Sequence, residues 1–355
     1  MSDPAAKPES PGPTPEEKQA TAEKLALLQD QAAGFFAIWT LELGLEGGFF
    51  AALARHPEGI ADEFLAREVG ADRLYTEAFL KSAYSAGFVD HEAGRYRLSP
   101  GLAAPLLEPE SPVYFGGTAR FLASLSGPLA FLRTHLKDGE RSWWDQFPPE
   151  VLDRLPGSTG TFYTRLLRKG LASVPGLLQR MGPGAVFVEL ACGRGEGLLR
   201  LARAFPSVEF IGVDLDEKNL ERARAAAEAA GLSSRVRFVQ AVLEKGPLPP
   251  ADIVLMNLLF HEVVEKDSVL SQVRRSLRPG GYLLVSDFPF PDWPEIERLR
   301  TPAGRVMSGL QLLEALLDDQ LIPPYHVLNW LRKKGFRDVE AVELAPIHVL
   351  VHGRN

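Results

Sequence analysis

The second half of the chain alternates short apolar runs with amphipathic helical patterns, and this alternation restricts the fold more than any other feature. From residue 185 onward, five runs rich in Val, Ile and Phe follow one another: AVFVEL, VEFIGVD, VRFVQAV, ADIVLMN and GGYLLVSDF. Segments of helical period separate them, among them GLLRLARAF and EKNLERARAAAEAAG. Strands that alternate with helices of this length predict a doubly wound α/β sheet with parallel strands.

The chain ends with two more strand-like runs, DVEAVEL and IHVLVHG, which only a few residues separate. A connection this short cannot hold a crossover helix, so the two runs are predicted to pair antiparallel. The sheet would then have seven strands. Ligands of such sheets bind at the carboxyl ends of the parallel strands, so a binding site is expected there.

A glycine-rich turn, VELACGRGEG, follows the first of these strands. Its glycines are Gly193, Gly195 and Gly197. The dinucleotide fingerprint G-x-G-x-x-G, counted from Gly193, would place its third glycine at position 198, where this chain has Leu198. The turn is therefore predicted to present bare backbone to a cofactor other than a dinucleotide. Ala191 stands where a further glycine would be expected, and its small side chain is expected to cost little.

This spacing, with an acid at the end of the first strand, resembles the class I S-adenosylmethionine-dependent methyltransferases, whose seven-stranded sheet is Rossmann-like. The resemblance implies that the turn lies against the methionine moiety and the ribose, and that Glu189 contacts the cofactor's ammonium directly or through water. It places Asp214, at the end of the second strand, on the ribose hydroxyls. Asp216 is a nearby alternative or a helix cap. Leu215 and Asn257 complete the expected cofactor contacts.

The aspartate with which the family usually meets the adenine amino group has no counterpart after the third strand. The segment VRFVQAVLEKGPLP contains no acid before Glu244. Two alternatives remain for the adenine ring. Either Glu244 reaches its amino group, or backbone and apolar contacts hold the ring.

Residues 20–108 predict a separate, mainly helical domain. Its apolar positions recur at helical spacing, Gly47 and Gly48 interrupt the first helical segment, and Gly70 separates two short amphipathic helices that precede a β-hairpin. Helix, turn, helix and hairpin form the winged-helix pattern. The expected recognition helix, DRLYTEAFLKSAYSAG, has no basic stripe, and the chain carries a net charge of −7. A packing or dimerisation module is therefore favoured over DNA binding.

Residues 1–19 are predicted to be a disordered tail, because they are rich in Pro, Ser and Glu and lack the apolar core of a signal peptide. No segment approaches the roughly 20 apolar residues of a bilayer span. A single cysteine excludes an internal disulfide, and a cytoplasmic location is expected. Residues 109–180 are expected to form a helical connector along the substrate cleft, and residues 181–355 the cofactor-binding domain.

As a whole, residues 20–355 resemble the small-molecule O-methyltransferases that carry an N-terminal winged-helix dimerisation domain. The resemblance implies a homodimer acting on a small molecule, with neither nucleic acid, membrane nor metal. In this family a histidine after the fourth strand is the general base, and MNLLFHEVVEKD offers His261, with Glu262 beside it and Asp287 after the fifth strand to orient the imidazole. Imidazole titrates near 6.5 and phenol near 10, so His261 would take the proton as the methyl group moves.

One acid of the family pattern is missing from the segment before the last helix, where LIPPYHVLNW offers His326 instead. His326 either replaces that acid or is an exposed residue at a helix start. Because this acid is missing, the methyl acceptor is either a phenolic oxygen or a nitrogen, carbon or carboxyl group.

Aromatic residues concentrate in the connector. By the family resemblance, the acceptor pocket is expected to include Trp143, Phe162, Tyr163 and, further along the chain, Met307. Such side chains suit an apolar, aromatic or isoprenoid-like acceptor, although ordinary core packing explains the same pattern equally well. A protein that is not an enzyme is the alternative interpretation of the whole chain: a regulator that uses its winged helix on DNA and binds S-adenosylmethionine as an effector.

Overall fold

The computed structural model describes residues 14–292 and 295–355 of the chain, which divides into two compact units, residues 1–103 and 104–355. Most of the predicted tail lies outside the described residues. The first helix begins at Pro15, inside the range predicted as tail. Thr14 caps it, because its Oγ1 accepts the Glu17 N–H at 3.2 Å while the Glu17 carboxylate accepts the Thr14 N–H at 2.7 Å.

Four helices and a two-stranded antiparallel hairpin make up the first unit: α1 Pro15–Glu46, α2 Phe49–Arg55, α3 Asp62–Val69, α4 Arg73–Ser85, β1 Val89–Glu92 and β2 Arg95–Leu98. The predicted break at Gly47 and Gly48 is confirmed, and Gly48 adopts a φ of 70°. The fully buried side chains of Phe50, Leu53 and Leu80 contribute to the core of this unit.

No single helix among the described residues has the length and apolar composition of a membrane span. Only α1 and α2 taken together meet both criteria, across a 68° bend.

The second unit begins with helices that precede the sheet: α5 Ala103–Leu107, α6 Gly116–Ser124, α7 Ser126–Thr134, α8 Pro149–Arg165, α9 Leu171–Ser173 and α10 Leu177–Arg180. A π-helical turn, Leu166–Gly170, joins α8 to α9. The strands and helices of the sheet domain follow: β3 Val186–Leu190, α11 Glu196–Ala204, β4 Glu209–Asp214, α12 Glu217–Ala229, β5 Val236–Gln240, β6 Ala251–Asn257, α13 Lys266–Ser276, β7 Leu277–Asp287, α14 Pro302–Leu316, α15 Pro324–Lys333, β8 Arg337–Ala345 and β9 His348–Arg354.

The sheet has seven strands in the order β5-β4-β3-β6-β7-β9-β8, so the predicted fold class is confirmed. Strands β3 to β7 run parallel, and β9 pairs antiparallel with both β7 and β8, as predicted for the terminal hairpin. Every residue of β3 is buried, because helices cover both faces: Phe187 points into one apolar core and Val188 into the other. The strand order reverses between β3 and β6, which places a ligand crevice at their carboxyl ends.

Candidate active site

The glycine-rich turn between β3 and α11 is built from left-handed backbone. Gly193 has a φ of 55° and Gly195 a φ of 78°, conformations that glycine adopts without strain. Ala191 lies in the same region with a φ of 51°. An L-residue there costs about 1–2 kcal/mol, so the expectation that alanine at this position costs little is wrong.

The carboxylate of Asp214, at the end of β4, is held beside this turn. One oxygen, Oδ2, accepts the Gly193 N–H at 2.7 Å, and Oδ1 accepts the Asp216 N–H at 2.9 Å. Asp216 is the N-cap of α12, since its Oδ1 accepts the Lys218 N–H at 2.9 Å. Each Asp214 oxygen keeps a second lone pair, which a ribose hydroxyl would use.

Glu189, at the carboxyl end of β3, has one satisfied and one unsatisfied oxygen. Its side chain is 1% exposed, and Oε1 accepts the Tyr163 hydroxyl at 2.5 Å. The other oxygen, Oε2, is buried without a hydrogen-bond partner. Burial raises the pKa of Glu189 to about 8, against the opposing effect of the Tyr163 hydrogen bond. Burial without a charged partner disfavours the carboxylate form of Glu189, and an ammonium group beside Oε2 would favour it again. These residues therefore fit the amino-acid end of S-adenosylmethionine.

The three glycines of the turn have different surroundings. A Cβ on Gly197 would lie 2.0 Å from the Tyr163 ring, and one on Gly195 would lie 2.9 Å from the ring of Phe238. A Cβ on Gly193 would meet nothing within 4 Å. Leu198, which replaces the dinucleotide glycine, is fully buried in the core. Gly193 is thus the glycine whose surroundings are open to a ligand.

Of the remaining predicted cofactor contacts, Leu215 is 63% exposed after β4, and Asn257 is buried at the end of β6. The Oδ1 atom of Asn257 accepts the Ser286 hydroxyl at 2.6 Å. Glu244 is partly buried, and its backbone carbonyl accepts the Ser268 hydroxyl at 3.2 Å.

A second cluster surrounds His261, in the loop after β6. Its ring is buried, and Nδ1 lies 2.9 Å from both carboxylate oxygens of Asp287 at the end of β7. Its Nε2 lies 3.7 Å from Oε2 of Glu314 on α14. Glu262 follows in the chain and hydrogen-bonds the side chain of Trp144. The donor atoms of His261, Glu262 and Glu314 lie within 4.8 Å of one another, a spacing at which three such groups could also hold a metal ion.

The carboxylates change the acidity of this cluster. Burial lowers the pKa of His261, but Asp287, followed by Glu314 and Glu262, raises it to about 10 overall. Burial raises the pKa of Glu314 to about 8 and that of Glu262 to about 7, with the charge of His261 acting in the opposite direction. The acidic neighbours thus raise the pKa of His261 above the ordinary imidazole value of 6.5. At neutral pH the ring is an imidazolium.

Sequence reasoning missed Glu314. The third acid was expected in LIPPYHVLNW, whereas the acid that reaches His261 lies earlier in the chain, in α14. His326 is half-exposed and lies 3.7 Å from Asp292, away from the cluster. Glu314 could have been recognised from the sequence as an acid among the apolar positions of a helix, since Leu313 and Leu316 beside it are buried.

The residues predicted to line the acceptor pocket divide into two groups. Phe162 is buried against Phe288 and His348, with ring centroids 5.2 and 4.4 Å apart, and Tyr163 lies beside Glu189. Met307 is buried in α14. Trp143 is 57% exposed, while its neighbour Trp144 contacts the His261 cluster through Glu262.

Known proteins resemble this chain over most of its length. A family model described as a methyltransferase domain matches residues 182–319. The chain is 27% identical to 3-hydroxy-5-methyl-1-naphthoate 3-O-methyltransferase of Streptomyces sahachiroi over 90% of this chain and 91% of that protein. Human N-acetylserotonin methyltransferase, solved with S-adenosylmethionine, has a TM-score of 0.68 at 21% identity, covering 94% of this chain and 97% of that one. For mitomycin 7-O-methyltransferase the TM-score is 0.69 at 19% identity, covering 95% and 100%.

Fold, site and comparisons together define a class I methyltransferase that uses S-adenosylmethionine as its cofactor. The relatives that this chain resembles over most of its length are O-methyltransferases of small molecules.

Proposed function

We propose that the protein methylates a hydroxyl group of a small aromatic molecule, with His261 as general base. The observation that carries this proposal is the buried imidazole held between Asp287 and Glu314. It lies in the loop after β6, at the carboxyl edge of the sheet where β3 and β4 present Glu189 and Asp214.

S-adenosylmethionine supplies a methyl group on a sulfonium, and the chain's residues position the acceptor and move its proton. Glu189 and Asp214 offer the oxygens that would bind the ammonium and the ribose. Asp287 orients the ring of His261 through Nδ1, which leaves Nε2 to face the acceptor. The resting imidazolium must first release a proton. Because Asp287 raises the pKa of the ring, the neutral imidazole is a stronger base than a free imidazole and accepts the proton of a phenol more readily.

The relatives support an aromatic acceptor. The enzyme of Streptomyces sahachiroi is named for methylation of a hydroxynaphthoate oxygen, and a mouse relative, 28% identical over 85% of this chain, is an acetylserotonin O-methyltransferase. The buried Phe162 and Met307 supply apolar surface for such a ring, and we assign them to the acceptor side.

We further propose that the first unit is a winged-helix dimerisation domain. Its order of helices followed by a hairpin fits that pattern. Helix α1 supports dimerisation, because it exposes several large apolar side chains to solvent: Leu25, Leu27, Leu28, Phe35, Phe36 and Leu43. Light scattering on the purified protein is expected to give twice the mass of the chain, and a monomer at micromolar concentration would contradict this part of the proposal.

Binding and turnover test the main proposal separately. Calorimetry with S-adenosylhomocysteine should show binding by the wild type and a loss of about tenfold or more in Asp214→Ala, which removes the ribose acceptor. In turnover assays with phenols and amines, His261→Ala should lose activity on phenols by about 100-fold or more, while the matched variant His326→Ala keeps it. Unchanged turnover in His261→Ala would refute oxygen methylation through this base and favour nitrogen or carbon as the acceptor.

A further inference from the structure

The unsatisfied oxygen of Glu189 lies at one end of a buried chain of polar side chains. Besides Glu189, the chain contains Tyr163 on α8, Asn257 at the end of β6, Ser286 on β7 and His348 at the start of β9. The strands β3, β6, β7 and β9 are consecutive neighbours in the sheet, so the polar chain crosses four strands near their site-facing edge. All five side chains are buried, Ser286 and His348 completely.

The direction of each hydrogen bond in this chain follows from counting protons. The Tyr163 hydroxyl has one proton and donates it to Glu189 at 2.5 Å. The side chain of Asn257 lowers the pKa of Tyr163 by hydrogen-bonding its hydroxyl, a direction of shift that requires Nδ2 to be the donor. Its Oδ1 is then free to accept the Ser286 hydroxyl, which lies 2.6 Å away.

The same reasoning fixes the tautomer of His348. Ser286 has already given its only proton to Asn257, so His348 Nε2, 2.8 Å from the Ser286 oxygen, must be the donor. The Nδ1 of His348 is then unprotonated, and it is buried without a partner. Burial, followed by the charge of Arg165, lowers the pKa of His348 to about 3, which keeps the ring neutral.

All donors therefore point the same way, from His348 to Glu189. Aligned hydrogen bonds polarise one another, so each donor strengthens the next. Both ends of the polar chain, His348 Nδ1 and Glu189 Oε2, are buried without a partner, but of the two Glu189 Oε2 belongs to a carboxyl group at the end of β3, next to the glycine-rich turn.

We propose that this polar chain holds the Glu189 carboxylate in place for the α-amino group of the cofactor, and that Ser286 and His348 are positioning residues for cofactor binding although they act only through Asn257 and Tyr163. The inference rests on the cofactor site proposed above. It adds that residues on β7 and β9 control affinity for the amino-acid end of the cofactor and leave affinity for the adenosine end unchanged.

Two ligands distinguish affinity for the amino-acid end of the cofactor from affinity for its adenosine end. S-adenosylhomocysteine carries the amino-acid group, and 5′-methylthioadenosine lacks it. By calorimetry, Ser286→Ala is expected to bind S-adenosylhomocysteine about threefold to tenfold more weakly than the wild type, and Tyr163→Phe about tenfold or more. Both variants should bind 5′-methylthioadenosine as the wild type does. Ser276→Ala is the matched control, because that buried hydroxyl donates to the Val273 carbonyl outside the polar chain.

Weaker binding could also result from a folding defect, and a pair of variants at position 348 distinguishes the two causes. His348→Gln keeps an N–H donor at similar reach and should bind S-adenosylhomocysteine nearly as tightly as the wild type. His348→Met has similar volume but no donor, and it should bind as weakly as Ser286→Ala. Restored binding in the glutamine variant distinguishes positioning from packing.

Each remaining outcome is decisive. Equal weakening of both ligands in Ser286→Ala, or equal affinities of the Gln and Met variants at position 348, would overturn the positioning role. If the wild type binds neither ligand, the cofactor site itself is wrong and the inference falls with it. If the wild type binds both and Ser286→Ala binds both equally well, the site stands and only the polar chain is refuted.

Discussion

Replacing Asp287 by asparagine should move the pH at which the enzyme becomes active. Asp287 lies 2.9 Å from Nδ1 of His261 and is the largest influence that raises the pKa of the imidazole. Asparagine keeps the shape of the side chain and removes its charge. The variant therefore tests whether the charge beside His261 determines when the ring can accept a proton.

The expected size follows from the geometry of the buried cluster. A pKa raised from 6.5 to about 10 corresponds to about 5 kcal/mol in favour of the imidazolium, at about 1.36 kcal/mol per unit. At a pH near 7.5 only about one wild-type molecule in 300 has a neutral ring. Without the charge of Asp287 the pKa of the ring falls, because burial then opposes only Glu314 and Glu262, so a larger fraction of the variant has a neutral ring at that pH.

The assay is kcat/KM with a phenolic acceptor between about pH 6 and about pH 9. The wild type is expected to rise about tenfold per pH unit throughout this range, since the neutral fraction does so. Asp287→Asn should level off within this range, at a lower plateau because its ring is a weaker base. Asp318→Asn, which changes an exposed carboxylate near the end of α14, should keep the wild-type slope.

Two results would refute this reasoning. One is a flat wild-type profile over the same range. The other is an Asp287→Asn profile that keeps rising to the upper end, because a slope caused by ionisation of the acceptor itself would persist in the variant.

Two further predictions concern stability. Ala191→Gly should raise the free energy of unfolding by up to about 1 kcal/mol, since glycine relieves the left-handed strain at φ 51° but loses more backbone entropy on folding; an unchanged or lower melting temperature would contradict this. The folded-state pKa of Glu314 is raised from 4.5 to about 8, so its contribution to stability is complete below about pH 4.5 and is lost as pH rises through about 8. In chemical denaturation, the unfolding free energy of Glu314→Gln should therefore fall less steeply than that of the wild type between about pH 4.5 and about pH 8. An equally steep fall would contradict the raised pKa of Glu314.

Much of the fold and part of the site could be predicted because parallel strands end at a common edge. Glu189, Asp214 and Asp287 each end a strand, so local sequence and sheet topology place them at the same end of the sheet. The positions of these three residues could therefore be predicted without knowledge of side-chain packing.

The remaining residues depend on packing that local sequence does not determine. Glu314 reaches His261 from a helix between two strands, and the rotation of that helix depends on its tertiary neighbours. His348 in β9 and Tyr163 in α8 are far apart in the chain and join the same polar chain only through the sheet order. The raised pKa of His261 was equally hidden, because it depends on the distance to a carboxylate missing from the expected segment.

The contact between Gly197 and Tyr163 makes substitutions at these two positions interdependent. Because the tyrosine ring occupies the space that a side chain at position 197 would need, alanine there displaces the ring and breaks its bond to Glu189. A homologue with a smaller residue at position 163 would have room for that alanine. Gly197 and Tyr163 should therefore be retained together or replaced together in homologues. The glycine at position 197 is then required by the size of the residue at position 163 on α8, and it is not evidence for a particular ligand.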